Sequence, residues 1–166
     1  MKNEFLHFLH TIEGSTFRKP TESELQTLQT LSGGRLPAMF WEAYSEEIPA
    51  EETECDAIIF YGIDRIADEN TEYIPGANLL PLGFFTFASA FEGDSVCFDM
   101  NDPDFPVYLV SHESMNGEDD IWYYENDTVH YVPFNYENVV RYANKLADSF
   151  AEFTANMQEA ADNADE

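Results

Sequence analysis

Four apolar stretches crowd the middle of the chain and constrain the fold more than any other feature. "AIIFYGI" (57–63), "NLLPLGFFTF" (78–87), "DSVCFDM" (94–100) and "FPVYLVSH" (105–112) are short and rich in β-branched or aromatic residues. Gly, Pro, Asn and Asp punctuate them, which is how strands read. In "DSVCFDM", Val96 and Phe98 fall on one side. "IWYYENDTVHYVPF" reads as a hairpin turning near Asn126-Asp127. Helical signals flank this block. Phe5, Phe8, Leu9 and Ile12 recur at helical spacing, predicting a helix over 3–13. Thr21 and Glu24 form a capping box for a helix that carries Leu25, Leu28 and Leu31 and stops at Gly33-Gly34. Pro37, in a first-turn position, opens a third helix, and "IDRIADENTEY" reads as a brief fourth. Val139, Ala143, Leu146, Phe150, Phe153 and Met157 predict one closing helix over 137–157, capped by Asn135. Helices, clustered strands and a final helix predict one α+β domain over 1–158. Its sheet is expected to be mixed or mostly antiparallel, packed against N-terminal helices and one long C-terminal helix, with 159–166 a frayed acidic tail.

A length of 166 residues, 44% hydrophobic and 15% aromatic, suits one folded domain with a sizeable core. The charge is unusual. Seven Lys and Arg stand against 33 Asp and Glu, a net charge of −26, and no Lys or Arg occurs between Arg65 and Arg141 while 15 acids do. Such a field repels phosphate backbones and anionic lipid and draws in a basic partner. Direct nucleic-acid binding and membrane binding are therefore not expected. The start of the chain lacks the apolar core of a signal peptide, and no apolar run reaches membrane-spanning length. Cys55 and Cys97 have neither metal-ligand nor redox spacing, which fits reduced thiols in the cytoplasm.

Three motifs suggest chemistry, and each has a plainer reading. Gly93-Asp94-Ser95 resembles the nucleophile block of GDS-type esterases, with Asp127 and His130 in an Asp-x-x-His arrangement. That family places its serine block at the domain start and its acid–histidine pair near the far end, whereas here both lie mid-chain. Asp99, Asn101, Asp102 and Asp104 are dense enough for a hard cation. An EF-hand-type loop, however, needs a ligand at Pro103, glycine at Asp104 and glutamate at Val110. A turn is the better reading. His7 and His10 lie three apart on a helix without an evident third ligand. No catalytic residue, metal or cofactor is expected. Trp41, Trp122, Tyr123 and Tyr124 are candidate anchors for a partner or half-buried core residues.

The order of elements resembles the SUKH superfamily, which includes bacterial toxin-immunity proteins and fungal cell-wall regulators. The resemblance runs over about residues 21–157 through Leu36-Pro37, Pro81-Leu82-Gly83, Gly93-Asp94 to Asp99, Pro106-Val107 and Ser149-Phe150. The chain departs from the family in having "EEIPAEE" where an Asn-Gly often follows the Leu-Pro helix. Gly93 and Asp94 then read as a turn or bulge entering a core strand. The resemblance implies a non-enzymatic immunity protein that binds and neutralises a cognate toxin of nuclease or deaminase type. Two other readings stand beside it, an acidic DNA mimic that inhibits a nuclease and a regulatory scaffold. The expected contact residues are Glu46, Glu47, Glu51, Glu52, Glu54, Asp56, Glu118, Asp119 and Asp120, set against the bland reading of solvated loops.

Overall fold

Capping chemistry delimits the first helices in the computed structural model, which describes residues 2–164. The Asn3 side chain accepts from the Leu6 amide to open α1 (Glu4–Thr11). After a short strand β1 (Phe17–Arg18), the expected capping box of Thr21 and Glu24 opens α2 (Glu22–Ser32), and a left-handed Gly33 closes it. Helix α3 (Ala38–Glu46) starts directly after Pro37. The acidic run that follows is more ordered than a plain loop. It holds β2 (Ile48–Pro49), paired with β1, and β3 (Thr53–Cys55), which turns through Asp56 and Ala57 into β4 (Ile58–Phe60). Both turn residues have positive φ, as a two-residue hairpin requires.

Helices α4 (Ile63–Thr71) and α5 (Gly76–Leu79) and a 3-10 turn (Leu80–Leu82) lead into β5 (Phe84–Ala90), β6 (Asp94–Asp99) and β7 (Val107–Val110). The expected strand in "NLLPLGFFTF" thus begins only at Phe84, because Pro81 and the left-handed Gly83 hold the preceding turns helical. Next come the hairpin strands β8 (Ile121–Glu125) and β9 (Thr128–Val132), then α6 (Tyr136–Tyr142), β10 (Asn144–Ala147) and α7 (Phe150–Asn163). The central sheet has six strands in the order β10-β7-β6-β5-β4-β3, each antiparallel to its neighbours.

Both faces of this sheet are covered. On one, Phe85, Phe87, Val96 and Phe98 pack against Phe5 and Phe8 of α1, Phe40 and Tyr44 of α3, and Phe150 and Phe153 of α7. A bulge between Thr86 and Ala88 shifts the alternation, so that Phe85, Phe87, Ala88 and Ala90 all reach this core. On the other, Phe84, Cys97, Tyr108 and Val110 meet Leu79, Met115, Ile121 and Val139 in a smaller core. Asp99, at the end of β6, is buried and accepts a hydrogen bond from the Tyr136 hydroxyl, which ties α6 to the sheet.

The single closing helix expected over 137–157 is three elements. Asn135 caps α6 as expected, but the chain then runs as the edge strand β10 beside β7, and Ser149 caps a new helix by accepting from the Glu152 amide. The apolar residues explain the break. Val139 belongs to the smaller core and Phe150, Phe153 and Met157 to the larger, so the chain must pass around the edge of the sheet. Helix α7 continues through Asn163 with Ala161 buried, so the tail expected from 159 starts inside a helix, while Asp165 and Glu166 lie outside the described residues. No helix among the described residues is long and apolar enough to cross a membrane.

Phe150 is 3% exposed, with its ring 5.0 Å from that of Phe5. Phe150→Ala should cost about 3–5 kcal/mol through lost transfer energy and the cavity left behind. Urea unfolding of the variant measures this. Acid stability has a separate source. Arg18 grips Glu24 with two hydrogen bonds of 2.8 and 2.6 Å, and the Thr21 amide also donates to it. Together these lower its pKa from 4.5 to about 2 despite the opposing effect of burial. The folded state favours the carboxylate, so the contribution is complete above the unfolded value and is lost as pH falls from about 4.5 toward 2. Glu24→Gln should flatten the stability profile in that window by on the order of 1–2 kcal/mol, since Arg18 faces water. Denaturation at pH 6 and pH 3 checks it.

Candidate functional site

Arg65 organises the acidic surface. It lies on α4, where Ile63 and Ile66 are buried and fix the helix face, leaving Arg65 at the surface. Its guanidinium bonds Glu69 one turn on, at 3.0 and 2.9 Å, and comes within 3.5 Å of Glu52. It also lies 5.5 Å from the ring centre of Tyr61 and 5.4 Å from that of Tyr73, within cation–π range. A cleft of about 460 Å³ opens beside it, bordered by Glu69, Glu72, Tyr73, Glu92 and Glu118. Thus Glu52 from the first acidic run contacts Arg65, and Glu118 from the second lines the cleft beside it, although they are far apart in sequence.

Apolar side chains stand at the same place. Tyr73 is 50% exposed and Ile74, which also lines the cleft, 38%. Phe91, next to the cleft residue Glu92, is 61% exposed and has φ +48, a left-handed conformation that is unfavourable for a bulky side chain. Glu92 and Gly93 continue the turn at φ +60 and +146, so Gly93 takes the turn role expected of it. The second acidic run is also built locally. Asn116 accepts from the amides of Glu118 and Asp119 through its side chain and from Asn78 through its carbonyl. Gly117, at φ +86, lies so close to Asn78 that a Cβ would stand 2.4 Å from the Asn78 Cβ.

The expected contact residues therefore divide. Glu47 lies 3.5 Å from His10, and Glu52 is committed to Arg65. Asp56 is the first residue of the β3–β4 turn. Glu46, Glu51, Glu54, Glu118, Asp119 and Asp120 are exposed and, among the described residues, have no basic side chain within 4.0 Å. Of the candidate anchors, Trp41 packs at the rim of the larger core, whereas Trp122, Tyr123 and Tyr124 lie on the β8–β9 hairpin.

The serine motif is dispersed. Ser95 is buried, with its hydroxyl 2.7 Å from that of Thr86. Asp127 sits at the tip of the β8–β9 hairpin, His130 stacks on Tyr123, and no hydrogen bond connects the three residues. The Asp99–Asp104 run forms a turn, with Asp99 accepting from the Asn101 amide and Asp102 from the Asp104 amide. His10 stacks on Phe17 instead of facing a ligand set with His7. Burial pushes the Cys97 thiol up to about 12 and also raises that of Cys55, so neither is a ready nucleophile at neutral pH.

One pair was not read from the sequence. Asp94 Oδ1 accepts from both the amide and Nδ1 of His112, at 2.9 and 2.6 Å. The bond joins the start of β6 to the residues just after β7, and His112 borders the Arg65 cleft. The clue was Gly-Asp at one strand start and Ser-His at the next strand end, but using it requires the β6–β7 register. Asp94→Ala should cost about 1–3 kcal/mol because it leaves two donors without their partner. Thermal unfolding measures the loss, and Asp94→Asn, which keeps an acceptor oxygen, should recover part of it.

Protein-family models, curated proteins and solved structures contain no match to this chain.

Proposed function

We propose that this protein binds a basic protein partner and neutralises it by covering its active surface, as an immunity protein of the SUKH type does for a nuclease- or deaminase-like toxin. One observation carries the reading. Acids from two distant parts of the chain flank the Arg65 cleft, and exposed Tyr73, Ile74 and Phe91 stand on or beside its lip. Exposed aromatic and aliphatic side chains set among charged ones are the groups that anchor protein interfaces. The rim sets the encounter rate, and the aromatic anchors set the lifetime of the complex. Glu52, Glu69, Tyr61 and Tyr73 already surround one guanidinium, so the chemistry suits further arginines from outside.

A second reading, an acidic mimic of nucleic acid, draws on the net charge of −26. It gives no role to the exposed aromatic residues, which a phosphate-like surface would not need.

The test is coexpression with a basic toxin encoded beside the gene, followed by stopped-flow association of the purified pair. Protection of the cell is the expected result, and absence of binding rejects the reading. Replacing Glu46, Glu47, Glu51, Glu52, Glu54 and Asp56 by Gln or Asn should slow association about tenfold at low salt. The effect should shrink as the Debye length falls from about 30 Å at 0.01 M to about 10 Å at 0.1 M. Neutralising six other exposed acids, Glu4, Glu13, Glu22, Glu152, Glu159 and Asp162, is the charge-matched control and should slow it less. Equal slowing by both sets would assign the effect to net charge and not to the β2–β3 region.

A further inference from the structure

The β8–β9 hairpin carries aromatic residues on both of its faces. Side chains alternate across a strand, and a ribbon packed on one side normally turns its apolar residues inward. Here the inward face is Ile121, Tyr123 and Glu125 opposite Val132, His130 and Thr128. Ile121 is buried in the smaller core, Val132 packs against it, and Tyr123 stacks on Tyr142 of α6 at 4.3 Å. The outward face is Trp122 and Tyr124 opposite Tyr131 and Val129. It carries no polar residue type other than the two tyrosines; Trp122 is half-buried, and Tyr124, Tyr131 and Val129 are 71%, 65% and 39% exposed. The Trp122 and Tyr124 rings touch edge to face at 5.7 Å, so these residues form one continuous patch. Burial in this chain does not explain Tyr124, Tyr131 or Val129.

The surroundings indicate what covers the patch. Asp120 precedes β8, and Glu125 and Asp127 stand at the hairpin tip, all exposed. Among the described residues no base pairs with any of them. Arg141, on the neighbouring helix, lies over the Tyr142 ring at 5.3 Å. A second copy of the chain would bring acid against acid, with −26 on each side. Cationic side chains match both features, since ring faces attract guanidinium and ammonium groups and the acids at either end complete the neutralisation.

We infer that the outward face of the β8–β9 ribbon is a docking surface for a cationic protein partner, whose arginine or lysine side chains seat on Trp122, Tyr124 and Tyr131 between Asp120 and Asp127 at the tip. The inference takes the basic partner from the preceding reading but places it on a different surface, and it does not require the partner to be a toxin.

The probe is a hexa-arginine amide peptide, titrated into the isotopically labelled protein at 0.3 M salt, where diffuse attraction to a polyacid is largely screened. Amide shifts should concentrate on residues 120–132 and include the Trp122 indole. Tyr124→Ser with Tyr131→Ser should weaken binding about tenfold or more, while Tyr124→Phe with Tyr131→Phe, which keeps both rings, should retain it. Both tyrosines are exposed, so the melting temperature should not move. The single Tyr131→Ser variant and the wild-type shift map keep the test decisive if the double variant fails to fold. Shifts spread evenly over the surface, or unchanged affinity in the serine variants, would overturn the inference. So would concentration-dependent dimerisation in sedimentation that the serine variants abolish, which would make the occupant a second copy. The two readings fail separately. A ribbon silent to the peptide leaves the salt-dependent rate effect of the β2–β3 acids standing, and peptide binding at the ribbon survives the loss of that effect.

Discussion

The packing of Phe87 and Phe98 across adjacent strands is the contact on which the rest of the fold depends. Their rings stack at 5.2 Å on one face of the sheet, and Phe150 meets them at 5.6 and 5.8 Å. Phe40 approaches the same pair at 5.9 and 5.6 Å, so α3 and α7 converge on two side chains of the central strands. Phe5 of α1 closes the cluster against Phe150. The β5 bulge belongs to this arrangement, because without it Ala88 and Ala90 would turn away from the helices. Large rings concentrated in one layer let a chain of this size bury enough apolar area to tolerate its self-repulsion.

That repulsion is distributed unevenly. Three of the seven bases pair with carboxylates of the same chain, Arg18 with Glu24, Arg65 with Glu52 and Glu69, and Lys145 with Asp148. The acids of the β2–β3 region and of 118–120 have almost no such partners. A field of this kind attracts cations over long distances, but it cannot distinguish one basic protein from another. Discrimination needs shaped apolar contacts, and the exposed aromatic residues beside the cleft and on the ribbon are the groups that can supply them.

Much of the fold was legible in the sequence because it follows from local chemistry. Thr21 with Glu24 announces a helix start, Gly33 its end, and Asn126-Asp127 a two-residue hairpin turn, each through neighbours within a few residues. The failures are non-local. A helical stripe from Val139 to Met157 is a correct record of apolar positions, but it cannot show that they face two cores on opposite sides of a sheet. Ser149 and Glu152 carried the signal for a fresh helix start, outweighed by the continuity of the stripe. The acids were identified as a surface, yet the contact of Glu52 with Arg65, the place of Glu118 on the cleft beside it and the bond from Asp94 to His112 depend on strand register and loop path. The ribbon aromatics were visible as residue types. Which of them faced water was not, until the pairing of Trp122 with Tyr131 was known.

The passage of the chain around the sheet edge at β10 has a consequence for how the molecule opens. The larger core closes on itself through α1, α3 and α7, while the smaller core is roofed by α5, α6 and the ribbon. Ile121 and Val139 bury into that smaller core and Tyr136 stacks on Phe84 at 5.4 Å, with the Tyr136–Asp99 hydrogen bond on one flank and β10 on the other. This side packs on the smaller of the two cores, so its amide protons are expected to exchange with solvent sooner than those of the central strands β5 and β6. A partner seated on the outward aromatic face would then stabilise the side of the protein that rests on the smaller core.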